Sequence, residues 1–492
     1  MSGIEDIMKV LFVTAEVTPF SKVGGLADVA GALPKALKQR DVDIRVISPA
    51  YGSIDSQKLS TSEVAKFPVE MGGKSYKTRI LEAHLPESDV PVYLIDNEKL
   101  YGREGVYTKA SSGEAFEDND DRFIFISRAT MEFLRNSDWT PDIIHCNDHH
   151  TALIPAYLKE GIYEDDQFQG IKTLFTIHNM GYQGVYESSV LPKTGFDETE
   201  FEENEAFSFQ GKVNFMKLAL RYSDKINTVS PTYAKEIMSS EEFGFGLQGE
   251  VKKREEDVSG ILNGVDYSEW SPETDTLIPY NFSINDITGK RNNRERLLQQ
   301  NRLVAERTTP VIGMVTRLVD QKGLDLIEEA LDELIQMDMR LIVLGTGERR
   351  YHQLLEGAKN ESPDKIAVNF AYNNPLAHLI EAGSDMFLMP SKYEPCGLNQ
   401  MYSLKYGTIP IVHATGGLAD TIQDYDRSSH KGNGFSFVKY DSDAMLEAID
   451  RAIQTFRNKA QWKFIRDNAM RADYSWDVSA EKYLRLYESS LA

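Results

Sequence analysis

Lys22 precedes the glycine pair Gly24-Gly25 by two residues. The pentapeptide Gly-Gly-Leu-Ala-Asp that starts at Gly24 recurs at 416–420. Each copy follows an apolar run, Val10-Leu11-Phe12-Val13 in one case and Ile409-Pro410-Ile411-Val412 in the other, and precedes a helical pattern. Paired glycines between a strand and a helix let backbone approach a ligand closely and leave helix N-terminal N–H groups pointing at it. A lysine beside them can reach a phosphate held by those amides. The same residues also suit an ordinary βα turn carrying a solvated lysine.

Three further segments carry reactive side chains. Thr316-Arg317-Leu318-Val319-Asp320-Gln321-Lys322-Gly323 follows an apolar run at 311–315. Two cations at the carboxyl end of a strand suit a diphosphate, Arg317 by a forked contact and Lys322 as a point charge. The alternative is a plain basic loop. Glu394-Pro395-Cys396-Gly397-Leu398 follows the run at 386–389. A carboxylate there can accept from sugar hydroxyls while exposed amides donate to them; a turn built on Pro and Gly is the bland reading. Cys396 is a candidate thiol with nothing local to activate it. His145-Cys146-Asn147-Asp148-His149-His150 looks metal-like, but its spacing matches no zinc pattern and neighbouring strand residues point apart, so no metal is expected. Asp148 is otherwise a helix cap. His178 closes the run at 173–177, a position that often faces a cleft.

These residues need strands that end beside them. Residues 9–15 read as a strand and 26–39 as a helix, with Leu26, Val29, Ala30, Leu33 and Leu37 at helical spacing and Pro34 expected to kink it. Ile44–Ile47 completes a βαβ unit. A dinucleotide site fits poorly, because no G-x-G-x-x-G follows the first strand and the second ends in Ile47-Ser48-Pro49 rather than an acid. Residues 52–120 read as mixed short strands and loops. Further strands are expected at 143–145, 173–177 and 226–230. The second half alternates more clearly, with strands at 311–315, 340–344, 366–370, 386–389 and 409–412 and a helix marked by Leu324, Ile327, Leu331, Leu334 and Ile335. Alternating βα units imply parallel sheets covered on both faces, with ligands beyond the strands' carboxyl ends.

The chain of 492 residues suits two domains rather than one. Domain boundaries are expected at 1–262 and 263–474, with a linker near Asn263-Gly264-Val265-Asp266 and a final helix, 475–492, packing back on the first domain. Acidic residues outnumber basic ones by 76 to 54, giving a net charge of −22. That argues against nucleic acid or an anionic membrane as the partner, so an anionic ligand must be held by a few focused cations. Two cysteines, Cys146 and Cys396, make no disulfide framework. With no signal peptide or apolar span visible, a cytoplasmic location is expected.

Taken together, Lys22-Val23-Gly24-Gly25-Leu26, His178-Asn179, Asn263-Gly264-Val265-Asp266, Arg317 with Lys322, Tyr372, Glu394-Pro395-Cys396-Gly397-Leu398, the second Gly-Gly-Leu-Ala-Asp and Tyr474-Ser475-Trp476 resemble the bacterial and plant glycogen/starch synthase family, a family-5 group of retaining glucosyltransferases. The likeness runs over nearly the whole chain. It implies an α/β fold of the GT-B type, two facing Rossmann-like domains with a deep interdomain cleft that closes on substrate. The N-terminal domain would be the acceptor side and the C-terminal domain would hold the nucleotide-sugar. The implied donor is ADP-glucose, with UDP-glucose used more slowly, and the acceptor is an α-1,4-glucan; no cofactor is implied. Lys22, Gly24 and Gly25 would approach the donor, Arg317 and Lys322 would hold the diphosphate, and Tyr372 would stack on the base. Glu394 with Cys396, Gly397 and Leu398 would grip the transferred glucose. Asp148, His178, Asn179, Asn263 and Asp28 would line the sugar and acceptor side. His149 and Asn399 depart from the expected pattern, where Trp and Thr are common.

Overall fold

A computed structural model describes residues 7–52, 61–110, 113–197, 199, 201 and 205–492. The chain forms two compact units. One comprises residues up to Val229, Ala234–Gly264 and Trp476–Ala492; the other comprises Ser230–Tyr233 and Val265–Ser475.

The first unit is built on a nine-stranded sheet. Its strands are β1 (Lys9–Val13), β2 (Asp43–Pro49), β3 (Ser62–Met71), β4 (Lys74–His84), β5 (Pro91–Asp96), β6 (Ile143–Asn147), β7 (Lys172–Ile177), β10 (Lys225–Thr228) and β11 (Val258–Gly260). A separate two-stranded ribbon, β8 (Val185–Tyr186) with β9 (Val213–Asn214), lies between β7 and β10 in sequence. The spatial order is β11-β10-β7-β6-β1-β2-β5-β4-β3. The seven strands from β11 to β5 pair in parallel, while β4 runs antiparallel to both β5 and β3. Parallel strands are buried on both faces, which is why β1 after Lys9 and all of β6 are continuously buried rather than alternating.

The second unit holds six parallel strands: β12 (Val311–Val315), β13 (Arg340–Leu344), β14 (Ile366–Asn369), β15 (Met386–Met389), β16 (Ile409–His413) and β17 (Phe435–Phe437). Their order is β14-β13-β12-β15-β16-β17. Counting from β12, this is the 3-2-1-4-5-6 order of a doubly wound fold, and the chain reverses direction across the sheet between β12 and β15. The first unit has the same logic, with its reversal between β1 and β6. In such sheets a ligand crevice opens at the carboxyl ends of the two strands flanking the reversal.

Several sequence expectations need adjustment. The stretch 52–120 contains a long hairpin, β3–β4, turned at Gly72-Gly73, rather than only short runs; residues 53–60 and 111–112 of that stretch lie outside the described residues. The helix expected through 324–335 is two pieces, Leu324–Glu329 and Leu331–Gln336, because Ala330 leaves the helical range at φ −96°, ψ 9°. The N–H of Ala330 still reaches Leu326 O and that of Leu334 reaches Ala330 O, so the apolar face continues through the junction. The helix Gly25–Lys38 runs on past Pro34, which is buried within it.

The last helix, Trp476–Leu491, lies in the first unit. Trp476, Ala480, Tyr483, Leu486 and Tyr487 share one core with Val10 and Phe12 of β1 and with Val29, Leu33 and Leu37 of the helix that follows it. Tyr487 OH and Thr176 Oγ1 each lie 2.7 Å from a ring nitrogen of His145, and Asn227 Nδ2 donates to Tyr483 OH at 2.9 Å.

Candidate functional site

In the second unit the crevice between β12 and β15 is a pocket of about 190 Å³, lined among others by Val315, Thr316, Arg317, Lys322, Ser391 and Glu394. Glu394 is only 7% exposed. Lys322 Nζ lies 2.5 Å from Glu394 Oε2, and Ser391 Oγ donates to the same oxygen at 3.0 Å. A buried carboxylate must be paired, and the short charge-assisted contact fixes both side chains at the mouth of β12 and β15. Arg317 is exposed on the loop just after β12. Asn399 begins the helix Asn399–Lys405 and donates from Nδ2 to Val315 O at 2.8 Å, which ties that helix to the end of β12. Leu398, Gly397 and Asn399 also line the pocket. Cys396 is buried beside it. Tyr372 stands beyond the end of β14 with 85% of its surface exposed.

The loop carrying Glu394 depends on the second glycine pair. Gly417 N donates to Glu394 O at 3.1 Å. A Cβ on Gly416 would stand 2.0 Å from Glu394 O, and one on Gly417 would stand 2.1 Å from Cys396 O. The second copy of the pentapeptide therefore uses its missing side chains to admit the chain's own backbone.

In the first unit the ends of β6 and β7 hold the titratable groups. Asp148 follows β6 with φ 54°, a left-handed conformation that a non-glycine residue adopts at a cost and that clusters at functional sites. Its Oδ1 accepts from His178 N at 2.8 Å, and the Asn179 amide adds a second bond. Burial nonetheless outweighs these amides and pushes the Asp148 carboxyl up to about 7, with Glu16 reinforcing the shift. His178 Nε2 lies 2.9 Å from Asn147 Oδ1, while Asn147 Nδ2 donates to Val13 O at 3.0 Å. Asn147 thus presents an acceptor, and His178 donates from Nε2. Burial pushes His178 down to about 3, so the ring is neutral at pH 7. The chain therefore pairs an aspartate inclined to keep its proton with a neutral imidazole on adjacent strand ends.

The glycine-rich turn after β1 is held by Glu16. Its Oε2 accepts from Val23 N at 2.5 Å and Gly24 N at 3.0 Å, and its Oε1 accepts from Tyr107 OH at 3.1 Å. Burial raises the Glu16 carboxyl above its ordinary range, against the lowering effect of these three donors. Gly25 opens the following helix. Lys22 Nζ contacts Asp28 Oδ1 at 2.6 Å, and burial raises Asp28 against the pull of that lysine. Asn263 is buried, and its Oδ1 meets no hydrogen-bond donor among the described residues. Asn179 accepts from Gly181 N at 2.9 Å. His149 and His150 pack ring against ring at 3.8 Å, and His150 stacks on Tyr107 at 4.8 Å. Among the described residues no group of three or more His, Cys, Asp or Glu is placed to hold a metal ion.

Residues 9–253 match the starch synthase catalytic domain model, and 295–464 match the glycosyl transferases group 1 model. A glycogen synthase of Thermosipho melanesiensis is 43% identical over 487 residues, covering 99% of each chain. A glycogen synthase of Thermotoga maritima is 43% identical over 491 residues, again covering 99% of each. The chain belongs to the glycogen/starch synthase family. The catalytic domain of starch synthase IV from Arabidopsis thaliana, solved with ADP and acarbose, superposes with a TM-score of 0.89 at 32% identity over 99% of both chains. The fold is thus that of the GT-B glycosyltransferases, two α/β domains with parallel sheets, as the motif resemblance implied.

Within this family member, the expected donor-side residues Arg317, Lys322, Glu394, Gly397 and Leu398 converge on one pocket. Asp148, His178 and Asn179 converge on one strand-end cluster. The Gly24 amide donates to Glu16 Oε2 in this structure. Asp148 makes no side-chain cap to the turn that follows it and binds the His178 amide instead. Glu16 is the residue that sequence reasoning missed. Its only local signal is an acid between the first strand and the glycine pair, and its phenolic partner lies 91 residues away.

Proposed function

We propose that this chain transfers glucose from ADP-glucose to the non-reducing end of an α-1,4-glucan with retention of configuration. The observation that carries this reading is the full-length likeness to glycogen synthases. Cleavage of the glucose–phosphate bond builds negative charge on the leaving diphosphate. Arg317 and Lys322 stabilise that charge where it develops, which is electrostatic catalysis of the largest usual kind. Glu394 orients the donor glucose, together with the amides at Gly397 and Leu398, and Cys396 packs behind them. Tyr372 offers a flat face to the base. Lys22, Gly25 and Asp28 flank the sugar; Asp148, His178, Asn179 and Asn263 line the acceptor side. Lys322 already pairs with Glu394, so donor entry exchanges part of that contact for one with phosphate. Retention proceeds by front-face attack, the departing phosphate taking the acceptor hydroxyl proton.

Labelled ADP-glucose and UDP-glucose, each incubated with glycogen, test the proposal. Label should enter the polymer, and kcat/KM should favour ADP-glucose by roughly ten- to a hundredfold, the reach of base stacking at about 1–3 kcal/mol. Release of nucleotide without polymer growth would refute the glucan acceptor, and a preference for UDP-glucose would refute the donor.

A further inference from the structure

His352 has no part in the chemistry above, yet its ring touches two of the loops at the nucleotide end of the second unit. It sits in the first turns of the helix Arg349–Glu361, which follows β13. Its Nε2 accepts from Gly347 N at 3.1 Å. Its face stacks on Phe370 with ring centroids 4.4 Å apart and planes 12° from parallel. An amide can donate only to an unprotonated nitrogen, so the ring is held with its N–H on Nδ1.

The two contacts reach in different directions. Gly345 and Gly347 form the loop after β13, and neither has room for a side chain. A Cβ on Gly345 would stand 1.9 Å from Thr316 O, and one on Gly347 would stand 2.3 Å from Leu318 O. Leu318 N donates to Thr346 O and Glu348 N donates to Leu318 O, both at 2.8 Å. This loop is therefore zipped onto the residues on either side of Arg317. Phe370, stacked on the face of the imidazole, lies two residues before Tyr372 in the segment after β14. One ring thus connects the segment bearing Arg317, through the glycine loop, to the segment bearing Tyr372.

We propose that His352 is a positioning residue for nucleotide recognition, setting the separation between the cation that meets the diphosphate and the aromatic face that meets the base. This rests on the donor-site reading given above. Without the imidazole, the segments after β13 and β14 lose their common support. A ligand that spans both should suffer, whereas a ligand that needs only the diphosphate end should not. Gln at position 352 can still accept from Gly347 N and lay a planar amide on Phe370.

The experiment measures binding to the full chain by calorimetry, with ADP as one probe and inorganic pyrophosphate, which has no base, as the other. His352→Ala should weaken ADP roughly tenfold, about the worth of one hydrogen bond with a ring contact, and leave pyrophosphate within about twofold. His352→Gln should recover ADP binding to within about threefold. In turnover, KM for the nucleotide-sugar should rise while kcat and the glucan KM hold. Unchanged ADP affinity in His352→Ala would overturn the proposal. So would equal losses for ADP and pyrophosphate, or a Gln variant as weak as Ala. If His352→Ala does not fold, Phe370→Leu replaces it, with the same selective loss expected for ADP and the same outcomes decisive. Should the wild type prefer UDP, the donor assignment fails by itself, and the same comparison of nucleotide with pyrophosphate is made with UDP.

Discussion

Replacing Lys322 with Ala should damage stability and turnover together, whereas replacing Arg317 should damage turnover alone. The difference follows from burial. The side chains of Lys322 and Glu394 are 17% and 9% exposed and meet at 2.5 Å. Removing one partner of a fully buried ion pair costs about 3–5 kcal/mol, because the other charge is left in low dielectric. Here Ser391 Oγ still donates to Glu394 and some solvent access remains, which brings the expected loss down to about 2–3 kcal/mol. In a unit of this size each kcal/mol moves the melting temperature by about 2–4 °C, so Lys322→Ala should melt about 4–12 °C lower. Arg317 is exposed, and its loss should stay within about 0.5 kcal/mol. Both variants should lose on the order of 10²–10³ in kcat if both cations stabilise the leaving group. Adding Glu394→Gln to Lys322→Ala removes the orphaned charge and should restore most of the lost melting temperature without restoring activity. Thermal melts and initial rates on the two singles and the double complete the cycle. A Lys322→Ala protein that melts like the parent, or a double variant no more stable than it, would refute the electrostatic account. A Lys322→Ala protein of normal rate would remove that lysine from the mechanism.

Asp148 gives a pH signature. The folded protein keeps its proton up to about pH 7, while an unfolded aspartate releases it near 4, so between these values the folded state binds more protons and stability falls as pH rises. Asp148→Asn, which can still accept from His178 N, should gain on the parent from pH 4 to 7 and level off above; denaturant melts that differ by a constant amount across this range would rule it out. Gly417→Ala should lower both melting temperature and kcat, because its Cβ meets Cys396 O, whereas Gly249→Ala in a helix with nothing within 4 Å should be neutral or slightly stabilising. Equal melts for the two would show that the Glu394 loop yields easily. Activity should survive exhaustive chelation, since side-chain cations face the leaving group; a loss restored by a divalent ion would sink that view.

Five of the six strands of the second unit were legible because each is a short apolar run bounded by turn residues, as buried parallel strands are; β17, only three residues long, was not expected. Asp148, His178, Arg317 and Glu394 were legible for a related reason: each sits at or just past the end of such a run, where a parallel sheet opens its crevice. The β3–β4 hairpin was not, because β3 exposes its first residues and the alternation that marks an antiparallel strand emerges only near Phe67. Glu16 was hidden because its partners are two backbone amides and a distant tyrosine, none of which leaves a motif. The glycine pairs show the limit most clearly. Sequence suggests a close backbone approach at 416 and 417; only the structure shows that a Cβ is excluded there and that the space belongs to the chain itself.

The placement of the last helix has a consequence for how the protein is made. Trp476, Tyr483 and Tyr487 complete a core that β1 begins, yet they leave the ribosome only after the entire second unit has been translated. At about 5–20 residues per second, the 211 positions between Gly264 and Trp476 take roughly 10–40 s to add. Throughout that interval the nascent N-terminal unit presents an unfilled apolar trough on the face that the helix will cover. The second unit has no such debt and can fold as soon as it emerges. Order of appearance and order of completion are therefore reversed, and the N-terminal half is the one whose newly made form invites chaperone capture.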